Sequence, residues 1–403
     1  MPPPPSGPDD PSQPPRAPVP MYGADFADAP QAVYEEMRRH GPVAPVELAP
    51  GYPATLVLAY DTALEVLRDP GTFPKDPSRW EKTVPSDCPV LPMMQSRPNC
   101  LFTDGEVHAR LRSAVSGALS RLDPGALRES VERAADLLLD EFAGAGEADL
   151  VGDFARRLPQ LVFNEMLGCP AGIGERLGRG MSGIFEAENA EEANKVLSEA
   201  VFELVMLKRR EPGADVASWM MAHPARLTDE EMAHQLIVMI GAGTEPEQNL
   251  IANALLLLLA DERFGGELSG GSLPIEDALD EVLWTNPPMA NYGVTYPLRD
   301  VDLAGTRLPA DQPVVISFAA ANTDPSRATG SRVGNRAHLA WSAGPHTCPA
   351  KGHARLIASA AIERLLDRIP GVEPTVPVEE IRWRPGPFHR AMMELPVRFP
   401  PSA

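Results

Sequence analysis

His338-Leu339-Ala340-Trp341-Ser342-Ala343-Gly344-Pro345-His346-Thr347-Cys348-Pro349-Ala350-Lys351-Gly352-His353-Ala354-Arg355 sets a thiol between two different kinds of chain. Before it stands a Gly344-Pro345 turn that cannot be helical; after it Ala354, Ile357, Ala358, Ala361, Ile362 and Leu365 recur at helical spacing. Cys348 is therefore expected near a helix N-terminus, where backbone N–H groups favour a thiolate. A thiolate anchored in this way suits an axial ligand of haem iron, with neighbouring N–H donors tempering the charge on sulfur, and His346 would stand within reach of a haem carboxylate. Two plainer readings compete. Cys348 can be a buried apolar residue without chemistry, or one corner of a zinc site with His346 and His353, although no CxxC pair accompanies them.

The whole stretch resembles the cysteine-ligand loop of the cytochrome P-450 superfamily, the haem-thiolate monooxygenases. The family pattern is an aromatic, two residues, Gly, one residue, His or Arg, one residue, Cys, one residue, then Gly or Ala. Trp341, Gly344, His346, Cys348 and Ala350 occupy those places, with Trp where Phe is usual and Ala where Gly is commoner. The resemblance implies a mainly α fold with a smaller β region (α+β). Haem b (iron protoporphyrin IX) would lie between a long I helix and this loop with its L helix, Cys348 being the metal ligand.

Working outward from the loop, Asp104-Gly105-Glu106-Val107-His108-Ala109-Arg110-Leu111-Arg112 opens a helix on which His108 and Arg112, four apart, share a face. A solvated face is the plain reading. The resemblance implies instead that both hold haem propionates through charge-assisted bonds, as a His and an Arg at this spacing do in the family's C helix.

From Thr228, an N-cap candidate followed by three acidic residues, to Ala260 the chain reads as one helix of about 50 Å. Its centre, Ile240-Gly241-Ala242-Gly243-Thr244-Glu245-Pro246-Glu247-Gln248-Asn249, is similar to the family's oxygen-binding I helix, so Ala242, Gly243, Glu245 and Pro246 are implied to be catalytic positions. Pro246 stands where the family places a Thr whose hydroxyl supports proton delivery to bound dioxygen. An interior proline costs a helix about 3 kcal/mol, less where the helix is already open, and Pro246 is expected to accentuate such an opening. Thr244 lies about 200° around the helix from Ala242 and points away if Ala242 faces the iron; Glu245, about 60° off, is either the substitute proton relay or a salt-bridged carboxylate.

A second departure lies in Ala278-Leu279-Asp280-Glu281-Val282-Leu283-Trp284, similar to the family's K helix, where Glu-x-x-Arg forms a buried ion pair. Trp284 replaces the Arg, so Glu281 must be re-paired, protonated or hydrated, with Arg332 or Arg336 as candidate partners. The meander is shortened after Asn322-Thr323-Asp324-Pro325, and Thr295 occupies the strand position where many relatives place a propionate-binding Arg. A branch of actinobacterial members shows Trp in the K-helix motif, and the chain is placed near it.

The 403 residues show no internal linker, so residues 1–20 are expected to be a disordered Pro-rich tail or polyproline ligand, and 21–403 one domain. A formal charge of −20 argues against nucleic acid or anionic membrane as a partner. The apolar run Ala254–Ala260 is too short for a bilayer, and the four cysteines lack framework spacing. A cytoplasmic monomer is expected. Residues 74–100 and 173–215 correspond to the family's loop and F and G helices over the substrate pocket.

Three functions follow. The first is a haem-thiolate monooxygenase oxidising a small organic substrate with O2 and electrons from a ferredoxin and its reductase, docking near Lys351 and Arg112. The second is a haem-thiolate enzyme driven by peroxide or performing a rearrangement, because Pro246 removes the usual relay. The third is a haem-bearing regulatory protein with little turnover, bound to a protein partner.

Overall fold

A computed structural model describes residues 17–185, 190–261, 275–327 and 334–401. Helices dominate, as expected from the sequence, and they pack around Asp229–Ala260, a helix of 32 residues. Its start is fixed by a capping box: the Thr228 hydroxyl accepts the Glu231 N–H at 3.1 Å, and the Glu231 carboxylate accepts the Thr228 N–H at 3.0 Å. In its second half Leu250, Ile251, Ala252, Ala254, Leu255, Leu256 and Leu258 are all buried, so almost every face is apolar and covered. The helices Arg157–Met166, Ala190–Arg210, Ile275–Thr285 and Lys351–Arg368 cover it. Whatever local opening Pro246 brings does not interrupt the helix, which runs on through it. Pro246 still donates no hydrogen bond to the Ala242 carbonyl one turn back.

The smaller β region is a five-stranded sheet in the spatial order Val19–Pro20, Val43–Ala49, Tyr52–Val57, Val314–Ser317, Asn291–Thr295. Val43–Ala49 and Tyr52–Val57 form an antiparallel hairpin, whereas Tyr52–Val57 runs parallel to Val314–Ser317. Val19 and Pro20, inside the expected tail, pair in parallel with Val46 and Glu47, and residues 1–16 of that expected tail lie outside the described residues. Residues 301–308 make a hairpin of Val301–Leu303 and Thr306–Leu308, turned through Ala304 (φ 52°) and Gly305 (φ 82°). The closing strand Pro396–Arg398 pairs with Glu147–Asp149 and Glu373–Pro374. No helix among the described residues is long and apolar enough to cross a membrane.

Candidate functional site

Cys348 lies three residues before the helix Lys351–Arg368, as the turn-then-helix pattern requires. Its N–H donates to the Trp341 carbonyl at 2.8 Å, and the Ala350 N–H points at Sγ at 3.4 Å. The loop is held close to the helix Tyr60–Arg68: Gly344 has φ +66°, and a Cβ there would lie 2.2 Å from the Leu67 carbonyl oxygen. Glycine is required by both the conformation and the approach. Burial is the largest influence on the Cys348 thiol and pushes its pKa up against the Ala350 N–H. The Ala350 N–H works against that burial, and a cation on sulfur would favour the thiolate further.

Cys348 lines a predominantly apolar cavity of about 260 Å³. The loop contributes Trp341, His346, Cys348 and Ala350 to its wall, and the long helix contributes Ala242, Gly243, Pro246, Glu247 and Leu250. Gly243 permits the close approach of Phe163, which also lines the cavity, since a Cβ would meet Phe163 Cζ at 2.0 Å. A second, smaller apolar cavity of about 100 Å³ shares Leu101, Val238, Ala242 and Met289 with the first and extends towards Tyr292 and Phe185.

Glu245 is not on this wall. Its carboxylate pairs with Arg384 and accepts the Asn249 amide at 3.3 Å. Burial opposes its ionisation, but Arg384 and His389 outweigh burial and hold its pKa below the usual range. Of the two sequence readings, the structure shows the salt-bridged carboxylate. Thr244 also points elsewhere, its hydroxyl donating back to the Ile240 carbonyl at 2.8 Å. Glu247, which the sequence reading passed over, is the acid that lines the cavity.

At the cavity edge Arg112 donates to the Thr347 carbonyl and lines the wall. His108 is buried and stacks on His346 with ring centroids 4.2 Å apart. Burial, reinforced by His346 and Arg112, pushes the pKa of His108 down to about 4. His346 Nε2 is already engaged by Asp104 Oδ1 at 3.0 Å, which leaves only Nδ1 for any cofactor carboxylate. Behind this pair sits Lys75, whose amide donates to Asp104 at 2.6 Å and whose ammonium donates to the Gly293 and Val294 carbonyls at 2.7 and 3.0 Å. Sequence reasoning missed it, because a lone Lys in a polar loop carries no signal of burial. Thr295 is buried against the Val314 carbonyl.

These residues fit a haem. A cysteine and mostly apolar side chains line the cavity, Arg112 and His346 stand on its wall, and His108, stacked behind His346, has an Nε2 that is buried without a protein partner. A buried donor left unpaired is costly, and a cofactor carboxylate would satisfy it. The zinc alternative fails on geometry: among the described residues no group of three or more His, Cys, Asp or Glu side chains converges on a metal position.

The K-helix departure is compensated in two ways. Trp284 is buried, donates its indole N–H to the Asn335 carbonyl at 2.6 Å and meets His338 edge-on at 5.7 Å, tying the helix to the chain that leads into the cysteine loop. A buried ion pair is present one residue earlier: Asp280, 3% exposed, pairs with Arg355 and, at 3.1 Å, with Arg336, while Glu276 also reaches Arg355. Arg332 lies outside the described residues.

No family model matches the chain. Cytochrome P450 monooxygenase PikC of Streptomyces venezuelae is 30% identical over 395 residues, covering 94% of this chain and 92% of that protein. Mycinamicin IV hydroxylase/epoxidase of Micromonospora griseorubida is 31% identical over 381 residues, covering 90% and 94%. Among solved structures, CYP154C4 from a Streptomyces species superposes with a TM-score of 0.86 at 26% identity, covering 95% of this chain and 98% of the other. Likeness along almost the whole length, joined to a cavity that presents a cysteine sulfur, means that the chain belongs to the cytochrome P450 superfamily and is a P450 monooxygenase, an oxidoreductase.

Proposed function

We propose that this monooxygenase binds haem b through Cys348 and oxidises a small, mostly apolar organic molecule with O2 and electrons from a ferredoxin and its reductase, in the cytoplasm. The observation that carries the reading is that Cys348 lines the same cavity as Ala242, Gly243 and Pro246 of the long helix. When bound, the haem supplies oxygen activation, with thiolate electron density favouring O–O cleavage. His108 and Arg112 would hold its propionates, and Trp341, Gly344 and Ala350 would shape the sulfur side. Phe163 packs closely onto Gly243, and both line the cavity. The apolar lining favours substrates that bury hydrocarbon surface.

Four free cysteines support a reducing compartment. Arg112 is tied to the cysteine loop, whereas Lys351 is exposed, so Lys351 is the residue through which ferredoxin docking is tested. Product formation with ferredoxin, reductase and NADPH, compared with peroxide alone, tests the reading; turnover with peroxide only would favour the second. The one observation behind that second reading is Pro246 on the cavity wall, which brings neither hydroxyl nor N–H. Pro246→Thr is expected to improve coupling of electron use to product, and unchanged or poorer coupling counts against a missing relay.

A further inference from the structure

Glu247 is an unusual residue to find where it is. It is 5% exposed, lies in the middle of the longest helix and lines the same cavity as Cys348 and Pro246. Its Oε1 is buried without a hydrogen-bond partner. A structural carboxyl at such a depth is normally paired with a cation or fully hydrogen-bonded. Glu245, two residues earlier, shows what that looks like, with Arg384 and Asn249 around it. Among the described residues Glu247 makes no ion pair, and the Ala358 backbone is the one group beside it that favours its charged form.

The helix geometry explains why this position matters. Gly243 and Glu247 are one turn apart and therefore stacked on one face, next to the strip that carries Ala242 and Pro246. Pro246 removes a hydroxyl from that strip and leaves the Ala242 carbonyl without its helical donor. An acid beside these groups supplies what they lack, an O–H donor in an otherwise apolar wall. We propose that the Glu247 carboxyl hydrogen-bonds a water held in the cavity beside Pro246, replacing the hydroxyl that this chain lacks, so that Glu247 and not Glu245 is the positioning acid of the site. This rests on the reading that the cavity takes haem on Cys348. Burial pushes the Glu247 carboxyl well above the usual carboxylate range, which agrees with a neutral O–H donor.

Infrared difference spectra of the haem-loaded protein, taken on photolysis of carbon monoxide from the reduced iron, test the proposal. The expected result is a carboxylic acid C=O band that shifts on photolysis and moves to lower frequency in D2O. The band is lost in Glu247→Gln and kept in Glu245→Gln. A thiolate-type Soret band with carbon monoxide, retained in Glu247→Gln, shows that haem and fold are intact in that variant. If Glu247→Gln does not take up haem, wild-type protein carrying 13C-carboxyl glutamate serves instead, and a band that fails to move with the label overturns the proposal. A wild-type protein with the thiolate Soret band but no such C=O band, or a band that survives Glu247→Gln, overturns it while leaving the haem reading intact. Absence of the thiolate Soret band from wild type removes the reading underneath, and the proposal with it.

Discussion

Replacing Asp280 by Asn tests whether the ion pair seen beside the K-helix motif does the structural work. The Asp280 side chain is 4% exposed and Arg355 is 12% exposed, so solvent screens the pair little. Breaking a buried pair typically costs about 3 to 5 kcal/mol, because the surviving charge is left desolvated. Here Arg355 keeps Glu276, which places the cost near the lower end, about 3 kcal/mol. With a urea m-value of about 3 kcal/mol/M, the midpoint should fall by roughly 1 M. Urea unfolding followed by Soret absorbance and by tryptophan fluorescence at pH 7 reads this. Glu276 is 39% exposed, and Glu276→Gln should cost about 1 kcal/mol or less. A midpoint in Asp280→Asn within about 0.2 M of wild type, measured on the same m-value scale, would refute the assignment of the pair.

Other expectations follow from the same geometry. Trp284→Arg, which restores the family's motif, should destabilise the protein by about 3 kcal/mol, because a buried indole and its bond to Asn335 are lost; a raised urea midpoint would contradict this. Gly344→Ala should lower haem occupancy, since a left-handed backbone and the Leu67 carbonyl leave no space for a Cβ; full occupancy by pyridine haemochrome assay would count against the loop geometry. Burial pushes His338 down to about 4, with Asp280 opposing, so above pH 6.5 both the folded and unfolded forms are neutral. As pH falls from 6.5 towards 4 only the unfolded chain takes the proton, and stability drops by about 1.4 kcal/mol per unit, up to about 3 kcal/mol in all. His338→Gln should flatten that slope, and an unchanged slope would be the contrary result.

Much of the fold was legible because its signals are local. Thr228 with Glu231 marks one end of the long helix, and the Ala354 to Leu365 spacing marks the helix after the cysteine. Cys348, Trp341, His346 and Ala350 share one wall, as a single short loop must arrange them. The two acids of the long helix were harder to tell apart. Ala242 lies at the edge of the cavity-facing strip, not at its centre, so angles measured from it favour Glu245 over Glu247. The Glu245 partner, Arg384, lies well over a hundred residues away and leaves no trace in the helix pattern. Arg355 and Asp280 are likewise joined only by the packing of two helices, which no spacing along the chain reveals.

The account depends on sulfur of Cys348 meeting iron. Purified protein loaded with haem, reduced and exposed to carbon monoxide should show a thiolate-type Soret band that disappears in Cys348→Ala. A fully haem-loaded wild-type protein without that band, or a band that persists in Cys348→Ala, would contradict it.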